Sequence, residues 1–545
     1  MLNFINFLSF FLTYATQFSL SNNPNGRGRP NIILVVADDL GWNDVGFHGS
    51  SQIPTPNIDT MAYAGIILNN YYVSPICTPS RSALMTGKYP IHTGMQHGVL
   101  DGADPRGLPL TEKLLPEYLK NKGYVNHIVG KWHLGSYKKK YTPTFRGFDS
   151  HLGFWIGHQD YFDHTSESHG SWGLDMRRNM NLAKDLHGKY STDVFSKEAV
   201  DIISNHDQVN PLFLYVAHAA VHSGNSYNPL PAPDSYVSNF SYIKHYPRQR
   251  FAGMLRKLDE SFGDIIHALV KRKMLENSIV IFTTDNGGPA AGFNENAASN
   301  YPLRGVKDTL WEGGIRGSAF VWSTLLRNSK RVSNQMMHIS DWLPTILDAI
   351  SVNEKNISKL RDKTKLDGVS LWKSLSENTK SPRDEILHNI DDIIGISALT
   401  YNSWKYIKGE SYSGKWSNWY GPSGRNYRYN YTLLENSRVF KSLETLNGNA
   451  DRETMEKMRK AATVNCSQRK FKKCKPKDEP CLFKIDSDPC EKVNVAKRYP
   501  DVVEVLEKKL QNYNQTALPP GNLPRDPRGY PEHWDYAWVN FGDLI

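Results

Sequence analysis

Long apolar runs are missing from this chain beyond its first dozen residues. No later stretch is apolar enough to cross a bilayer as a helix, so no transmembrane segment is expected. Zinc-finger spacings, RNP-like aromatic boxes and long basic helices are absent too, so no nucleic-acid partner is expected. Nothing repeats at a fixed period, which excludes a solenoid or a propeller. The C-terminus carries neither an ER-retention tetrapeptide nor a hydrophobic anchor tail. Cysteine is scarce, with five in 545 residues, and its distribution is uneven. Cys466, Cys474, Cys481 and Cys490 cluster late, whereas Cys77 stands alone.

The features present fit a secreted or lysosomal protein. Leu2 to Leu12 is a short Phe- and Leu-rich run followed by polar residues, Pro24 and Gly26, which reads as a signal peptide over residues 1–19. Five Asn-x-Ser/Thr sequons, at Asn239, Asn356, Asn430, Asn465 and Asn514, suit the same route. In an oxidising compartment the four late cysteines can form two disulfides. Nearest-neighbour pairing, Cys466–Cys474 and Cys481–Cys490, is the expectation among three connectivities. The odd thiol, Cys77, then asks for a special explanation. A net charge of +10 fits acidic substrates or anionic glycans without specifying them.

The length suggests two domains. Residues 31–37, Asn-Ile-Ile-Leu-Val-Val-Ala, form a continuous β-branched run of the kind buried on both faces of a parallel sheet. Tyr124 to Val129, Leu212 to Val216, Ile279 to Thr283 and Ala319 to Trp322 read as further strands. Helices are expected at Pro116 to Lys122, at Thr192 to Ser204 with Ser191 as N-cap, at Pro247 to Val270 and at Asp341 to Ile350. The alternation predicts an α/β fold, an open and mostly parallel sheet covered by helices, over a domain of residues 27–381. From about residue 382 the strand-like pieces become shorter and more polar. A smaller C-terminal α+β domain, 382–545, with the disulfides, is expected.

Four of these strands run into charged or imidazole residues. In open α/β sheets the ligand crevice lies beyond the carboxyl ends of the strands. Asp38, Asp39, Lys131, His133, His218 or His222, Asp285 and Asn286 are therefore expected around one crevice. Asp38, Asp39, Asp285 and Asn286 offer only oxygen ligands, which suits a hard cation, Ca²⁺ or Mg²⁺, rather than zinc. Either pair alone would read as an ordinary turn; the two together, each closing a buried strand, point to metal.

Cys77-Thr78-Pro79-Ser80-Arg81 reads as a loop turning into a helix, with Pro79 at its first position and Gly87 ending it. Cys77 then sits just before a helix N-terminus, where backbone N–H groups favour anions, and Arg81 adds a positive charge one turn on. On these grounds alone, a small buried Cys at a loop–helix junction is an equal reading.

Cys77-x-Pro79-Ser80-Arg81, continued by Leu84, Thr86-Gly87 and Lys88, resembles the signature of the type I sulfatases. Val36-Ala37-Asp38-Asp39-Leu40-Gly41, Gly130-Lys131-Trp132-His133-Leu134-Gly135 and Thr284-Asp285-Asn286-Gly287-Gly288 stand here as in that family. So does Lys307 before Leu310-Trp311-Glu312-Gly313-Gly314. The likeness is greatest to animal arylsulfatase B-type enzymes, N-acetylgalactosamine-4-sulfatase and its relatives. It implies an alkaline-phosphatase-like fold and hydrolysis of an aryl or sugar sulfate. Cys77 is then converted by a formylglycine-generating enzyme, and its hydrated aldehyde is the nucleophile. Ca²⁺ is bound by Asp38, Asp39, Asp285, Asn286 and the modified Cys77; Arg81 and His133 orient the nucleophile. Lys131, His222 and Lys307 contact the sulfate, and His222 or Lys307 assists the leaving group. The flank of His222 departs from the family pattern, because Ser223-Gly224-Asn225 replaces the usual Pro two residues on, and His218 is a nearby competitor. Two other functions are open: an inactive paralogue that binds sulfated glycans, and a phosphoester or phosphonate hydrolase on the same fold.

Overall fold

The computed structural model describes residues 28–350, 359, 361–466, 471 and 474–545. The expected signal peptide and Asn356 lie outside the described residues. The other four sequon asparagines are exposed.

Ten strands form one sheet: β1 (Asn31–Ala37), β2 (Ile66–Tyr72), β3 (Val125–Lys131), β4 (Ser150–Phe154), β7 (Arg177–Arg178), β8 (Asn181–Leu182), β9 (Leu212–Ala217), β10 (Ser278–Thr284), β11 (Ala319–Ser323) and β12 (Arg331–His338). β5 (Thr165–Ser168) and β6 (Ser171–Leu174) make a separate hairpin. The order is β12-β2-β11-β10-β1-β9-β3-β4-β7-β8. The five central strands, β10-β1-β9-β3-β4, are parallel, whereas β11 runs against both its neighbours. Register aligns their carboxyl ends: Ala37 opposes Thr284, Val36 opposes Ala217, and Lys131 opposes Phe154.

The sheet is buried on both faces, so its central strands are apolar throughout rather than alternating. Ile33, Val35 and Ala37 of β1 pack into one core with helices Pro56–Ala64, Ser191–Asn205 and Tyr246–Lys271. Ile32, Leu34 and Val36 face the other core, with helices Cys77–Thr86, Leu115–Lys120 and Trp342–Ala349. The five strands and four helices expected from the sequence are present, with ends shifted by one or two residues. Two details differ. Ser191 is not a cap but the first helical residue; its hydroxyl donates to the Tyr161 carbonyl at 3.2 Å. Cys77 opens its helix rather than preceding it, so Pro79 is the third residue, still within the turn whose N–H groups need no partner.

In the C-terminal part, β13 (Glu385–Asp391), β14 (Ile396–Tyr401), β15 (Trp404–Lys408) and β16 (Cys481–Lys484) form an antiparallel sheet in that order. The helix Pro500–Thr516 covers it through Leu506 and Leu510. Other C-terminal segments return to the large sheet: Leu434, Val439, Leu443, Met455 and Met458 join the first core, and Trp538 packs with Ala103 and Ile156. The disulfides are Cys466–Cys490 and Cys474–Cys481, not the nearest-neighbour pairs. Packing decides this. Cys474 and Cys481 belong to the cluster under the small sheet, whereas Cys466 and Cys490 pack with Trp42, Leu303 and Val464. Cys77 is the one free cysteine and is buried. Among the described residues no helix is long and apolar enough to cross a membrane.

Candidate active site

The aligned strand ends bring the chemistry together. β1 delivers Asp38 and Asp39, β3 ends at Lys131 and turns into His133, and β10 delivers Asp285 and Asn286. β2, antiparallel to β11 as β10 is, runs in the same direction and leads into the helix that Cys77 opens. Asp38, Asp39, Lys131, His133, Asp285 and Asn286 are each at most 2% exposed. Asp39 and His133 adopt left-handed backbone, with φ of 59° at both. That conformation is uncommon outside glycine and marks residues held against local preference. The Gly-Gly of the β10 motif permits a close approach: a Cβ on Gly287 would meet the Gly313 carbonyl oxygen at 1.8 Å.

Acidic and basic groups interlock around Cys77. The Lys131 ammonium donates to Asp38 Oδ2 at 2.7 Å, and the Lys307 ammonium donates to Asp39 Oδ2 at 2.8 Å. Arg81 donates from Nε and Nη2 to Asp285 Oδ2, at 3.0 and 2.8 Å. Its partner is thus Asp285 and not Cys77 itself. The Cys77 thiol lies 3.8 Å from Asp38 Oδ1. Ligand atoms of Asp38, Asp39, Cys77 and His222 lie within 4.8 Å of one another. Burial raises the Asp39 and Asp285 carboxyls above their usual range, against the pull of Lys307 on Asp39 and of Arg81 on Asp285. The Cys77 thiol is pushed up to about 12, again chiefly by burial, with Lys131 and Lys307 opposing. A thiol so held is protonated at neutral pH and is a poor nucleophile as it stands.

The donor set fits a hard cation. Three carboxylates converge, and the Asn286 side chain donates to Asp39 Oδ1 at 2.7 Å while its own buried Oδ1 has no partner. A buried, unpartnered oxygen beside converging carboxylates calls for a cation.

The two candidate histidines separate. His222 lies in the crevice: its Nδ1 donates to the Ser223 carbonyl at 2.7 Å, which leaves Nε2 facing Lys307 Nζ at 3.3 Å and Asp39 Oδ2 at 3.4 Å. His218 points the other way and pairs with Ser261 Oγ at 3.1 Å. It lies in the core beside Phe195. The missing Pro after His222 thus leaves its placement intact. His133 donates from Nε2 to the Leu100 carbonyl at 3.0 Å, and its buried Nδ1 is unpartnered. Burial and the neighbouring cations push both His133 and His222 well below the usual imidazole value.

Cys77, His133, His222 and Lys307 line one cavity, with contributions the sequence reading missed. His158 stacks on His222, ring centres 5.7 Å apart, and burial pushes it down to about 4. Phe293 stands at the cavity too, and Asn294 Nδ2 lies 3.1 Å from His222 Nε2. His158 had a signal: Leu152 to Ile156 is an apolar run that breaks at Gly157-His158, like the four strand ends already singled out. Phe293 and Asn294 come from an irregular loop with no such pattern.

Residues 30–352 match the sequence profile of the sulfatase family. Mouse arylsulfatase J is 41% identical over 534 residues, spanning 94% of this chain and 80% of that protein. Human N-acetylgalactosamine-6-sulfatase is 34% identical over 332 residues, 58% of this chain and 61% of that one. Among solved structures, Ps i-CgsB in complex with k-i-k-neocarrahexaose superposes with a TM-score of 0.69 at 26% identity, covering 92% of this chain and 95% of that one.

Proposed function

Because the chain belongs to the sulfatase family, and is by that kinship a sulfuric ester hydrolase, we propose that it cleaves an aryl or sugar sulfate with water, releasing the alcohol, sulfate and a proton, at a centre built from Cys77. The observation that carries this reading is the convergence of Cys77, Asp38, Asp39 and His222 within 4.8 Å, bracketed by Lys131 and Lys307. Asp38, Asp39, Asp285 and Asn286 would hold Ca²⁺, with Cys77 adjoining; a bound Ca²⁺ would supply Lewis acidity toward sulfate oxygens. Mg²⁺ meets the same oxygens but favours a stricter octahedron. Converted to hydrated formylglycine, residue 77 would supply a hydroxyl nucleophile with a second hydroxyl through which sulfate can be released.

The chain's own residues divide the remaining work. Arg81 fixes Asp285, and so the metal-facing carboxylates, through its two hydrogen bonds. His133 keeps its Nδ1 free by tying Nε2 to Leu100, which makes it an acceptor for a hydroxyl proton on residue 77. Lys131 and Lys307 place two fixed positive charges where negative charge grows on the sulfate and the leaving oxygen. Lys307 supplies a proton to His222 Nε2, 3.3 Å away, and His222 relays it to the leaving alcohol. An arylsulfatase B-type leaving group, a sugar sulfate of that kind, is one member of the substrate class this centre would accept. Two disulfides and exposed sequons support passage through the secretory pathway, ending in the lysosome or outside the cell.

The test is a peptide mass spectrum across residue 77 of protein secreted by eukaryotic cells. No Lys or Arg lies between Arg29 and Arg81, so chymotrypsin must accompany trypsin. A formylglycine mass is expected. An unmodified, alkylatable Cys77 in efficiently matured protein would overturn the centre and leave the sulfated-glycan-binding reading.

A further inference from the structure

The cavity above Cys77 has a floor and an outer wall of opposite electrostatic character. Lys307 lines the cavity beside Cys77, and Lys131 lies outside the lining, paired with Asp38. Among the described residues Lys307 is the one lysine or arginine lining the cavity. Another part of the lining, the outer wall, is built by the loop at Asp101 and the β5–β6 hairpin, and its acidic members are Asp101 and Glu167. Glu167 Oε2 accepts from the Ser226 N–H at 3.1 Å and the Ser226 hydroxyl at 2.6 Å, and Glu167 forms no salt bridge among the described residues. Those two hydrogen bonds hold its carboxyl below the usual glutamate value, so it is ionised. Asp101 Oδ2 is held by Arg525, at 2.7 Å from Nη2, and by His169 Nε2 at 3.0 Å. Arg525 belongs to the C-terminal segment that returns to this face, where the Trp538 indole donates to the Ser166 carbonyl at 3.0 Å.

Two further observations say that this cavity receives a ligand. The 2%-exposed His133 keeps an unpartnered Nδ1 within its lining. Phe293, 41% exposed, offers an apolar ring face at the same cavity. A site for a polyanionic glycan needs cations where the flanking acidic groups fall; this wall offers negative charge instead. Carboxylates accept hydrogen bonds from hydroxyls, and an aromatic face packs against a ring. Resting on the hydrolytic reading above, we propose that the Asp101–Glu167 wall makes the site selective for a leaving group that is uncharged and hydroxyl-bearing or aromatic, and discriminates against sulfate esters with a second anionic group beside the scissile bond. The chain's net charge of +10 therefore lies elsewhere than on the wall that meets the leaving group.

The experiment compares kcat/KM of the matured full-length enzyme for two sulfated sugars, a neutral monosaccharide sulfate and a uronate-bearing disaccharide sulfate, at low and high salt. The neutral ester is expected to win, by a margin that shrinks as salt screens the wall. Glu167→Gln is expected to raise the uronate-to-neutral ratio by about fivefold, the size of one unit charge acting across about 4 Å of water at an open cavity wall. Arg525→Ala, which strips Asp101 of its counter-charge, is expected to move the same ratio the opposite way. Opposite signs from two variants cannot come from a general loss of folding. A wild-type preference for the uronate-bearing ester, or a ratio that neither variant moves, would overturn the proposed selectivity while leaving the hydrolytic centre standing. Turnover of no sulfate ester by protein carrying formylglycine would overturn the hydrolytic reading itself, and the selectivity with it.

Discussion

Two buried ionic clusters lie on either side of the Gly287–Gly313 contact, and they are built differently. In the crevice Asp38, Asp39 and Asp285 face Arg81, Lys131 and Lys307, yet Asn286 Oδ1 and His133 Nδ1 have no partner. Two of its residues hold left-handed backbone. Between the four-stranded and ten-stranded sheets, Lys405 Nζ sits 2.9 Å from Glu312 Oε1 and 2.8 Å from Glu491 Oε1. Glu312 Oε2 accepts from the Tyr72 hydroxyl and Arg316, and Glu491 Oε2 accepts from the Glu312 N–H. Every carboxylate oxygen of this second cluster faces a cation or a donor, although Glu491 Oε1 has only its ion pair with Lys405 and no hydrogen bond. Both clusters bear the cost of burying charge, but in the joint each carboxylate oxygen has at least an opposite charge or a donor against it, whereas the crevice leaves an amide oxygen and a ring nitrogen facing nothing. Incomplete satisfaction marks the site prepared for a ligand; completeness marks a structural joint.

The sharpest way to separate the two is to remove one group from each. Cys77→Ala is expected to abolish turnover while leaving the melting temperature near that of the parent; a folded variant that retains the parent rate would refute the mechanism. Lys405→Met strands two buried carboxylates, and a loss of about 3–5 kcal/mol of stability is expected from breaking such a pair. Denaturant unfolding measures it, and activity per folded molecule should persist. If instead Lys405→Met were as stable as the parent, the joint would not be structural.

Smaller effects sharpen the contrast. Lys131→Ala is expected to lower kcat by about 3 kcal/mol of transition-state stabilisation, by analogy with loss of one oxyanion donor. A change in KM alone would reduce Lys131 to a binding group. Added Ca²⁺ should raise the melting temperature, by the equivalent of about 3 kcal/mol at a hundredfold excess over its Kd, and chelation should reverse this. A melting temperature indifferent to Ca²⁺ would remove the cation from the crevice. The smallest effect concerns pH. Burial raises Glu491 above the ordinary glutamate value of 4.5, with Lys405 opposing and Glu312 adding to it. Its folded form therefore holds the proton more tightly than the unfolded chain does. Stability from this group is greatest below pH 4.5 and falls as pH rises beyond it. Glu491→Gln, fixed in the neutral state, should flatten that slope; an unchanged slope would assign it to other buried carboxyls.

Much of the crevice is legible in the sequence. Val35-Val36-Ala37-Asp38-Asp39 and Phe282-Thr283-Thr284-Asp285-Asn286 announce buried strands that end in oxygen ligands, because a parallel sheet covered on both faces must be apolar until it emerges. The helix expected at Pro247 to Val270 follows from its apolar spacing, notably Phe251, Leu255, Leu258 and Phe262, and the other three from Pro, Gly or Ser at their ends. Three things were not legible. β2, Ile66–Tyr72, contains Asn69 and Asn70, which break the apolar run, so the strand that delivers Cys77 did not declare itself. The disulfide pairing depended on which cluster each cysteine packs into, and sequence distance does not encode that. Glu312, Lys405 and Glu491 are separated by long stretches of chain, and nothing local links them.

The sequence by itself determined the sheet-and-helix alternation and the kinds of atoms available at the strand ends, because apolar periodicity and ligand type are local properties. Only the tertiary structure decided which of those atoms meet. It chose His222 over His218, turned Arg81 onto Asp285, left Asn286 Oδ1 and His133 Nδ1 open, and brought Arg525 from the far end of the chain to Asp101. The reason is that a side chain's partner is set by strand register and by loops packed from distant segments, which no local pattern records.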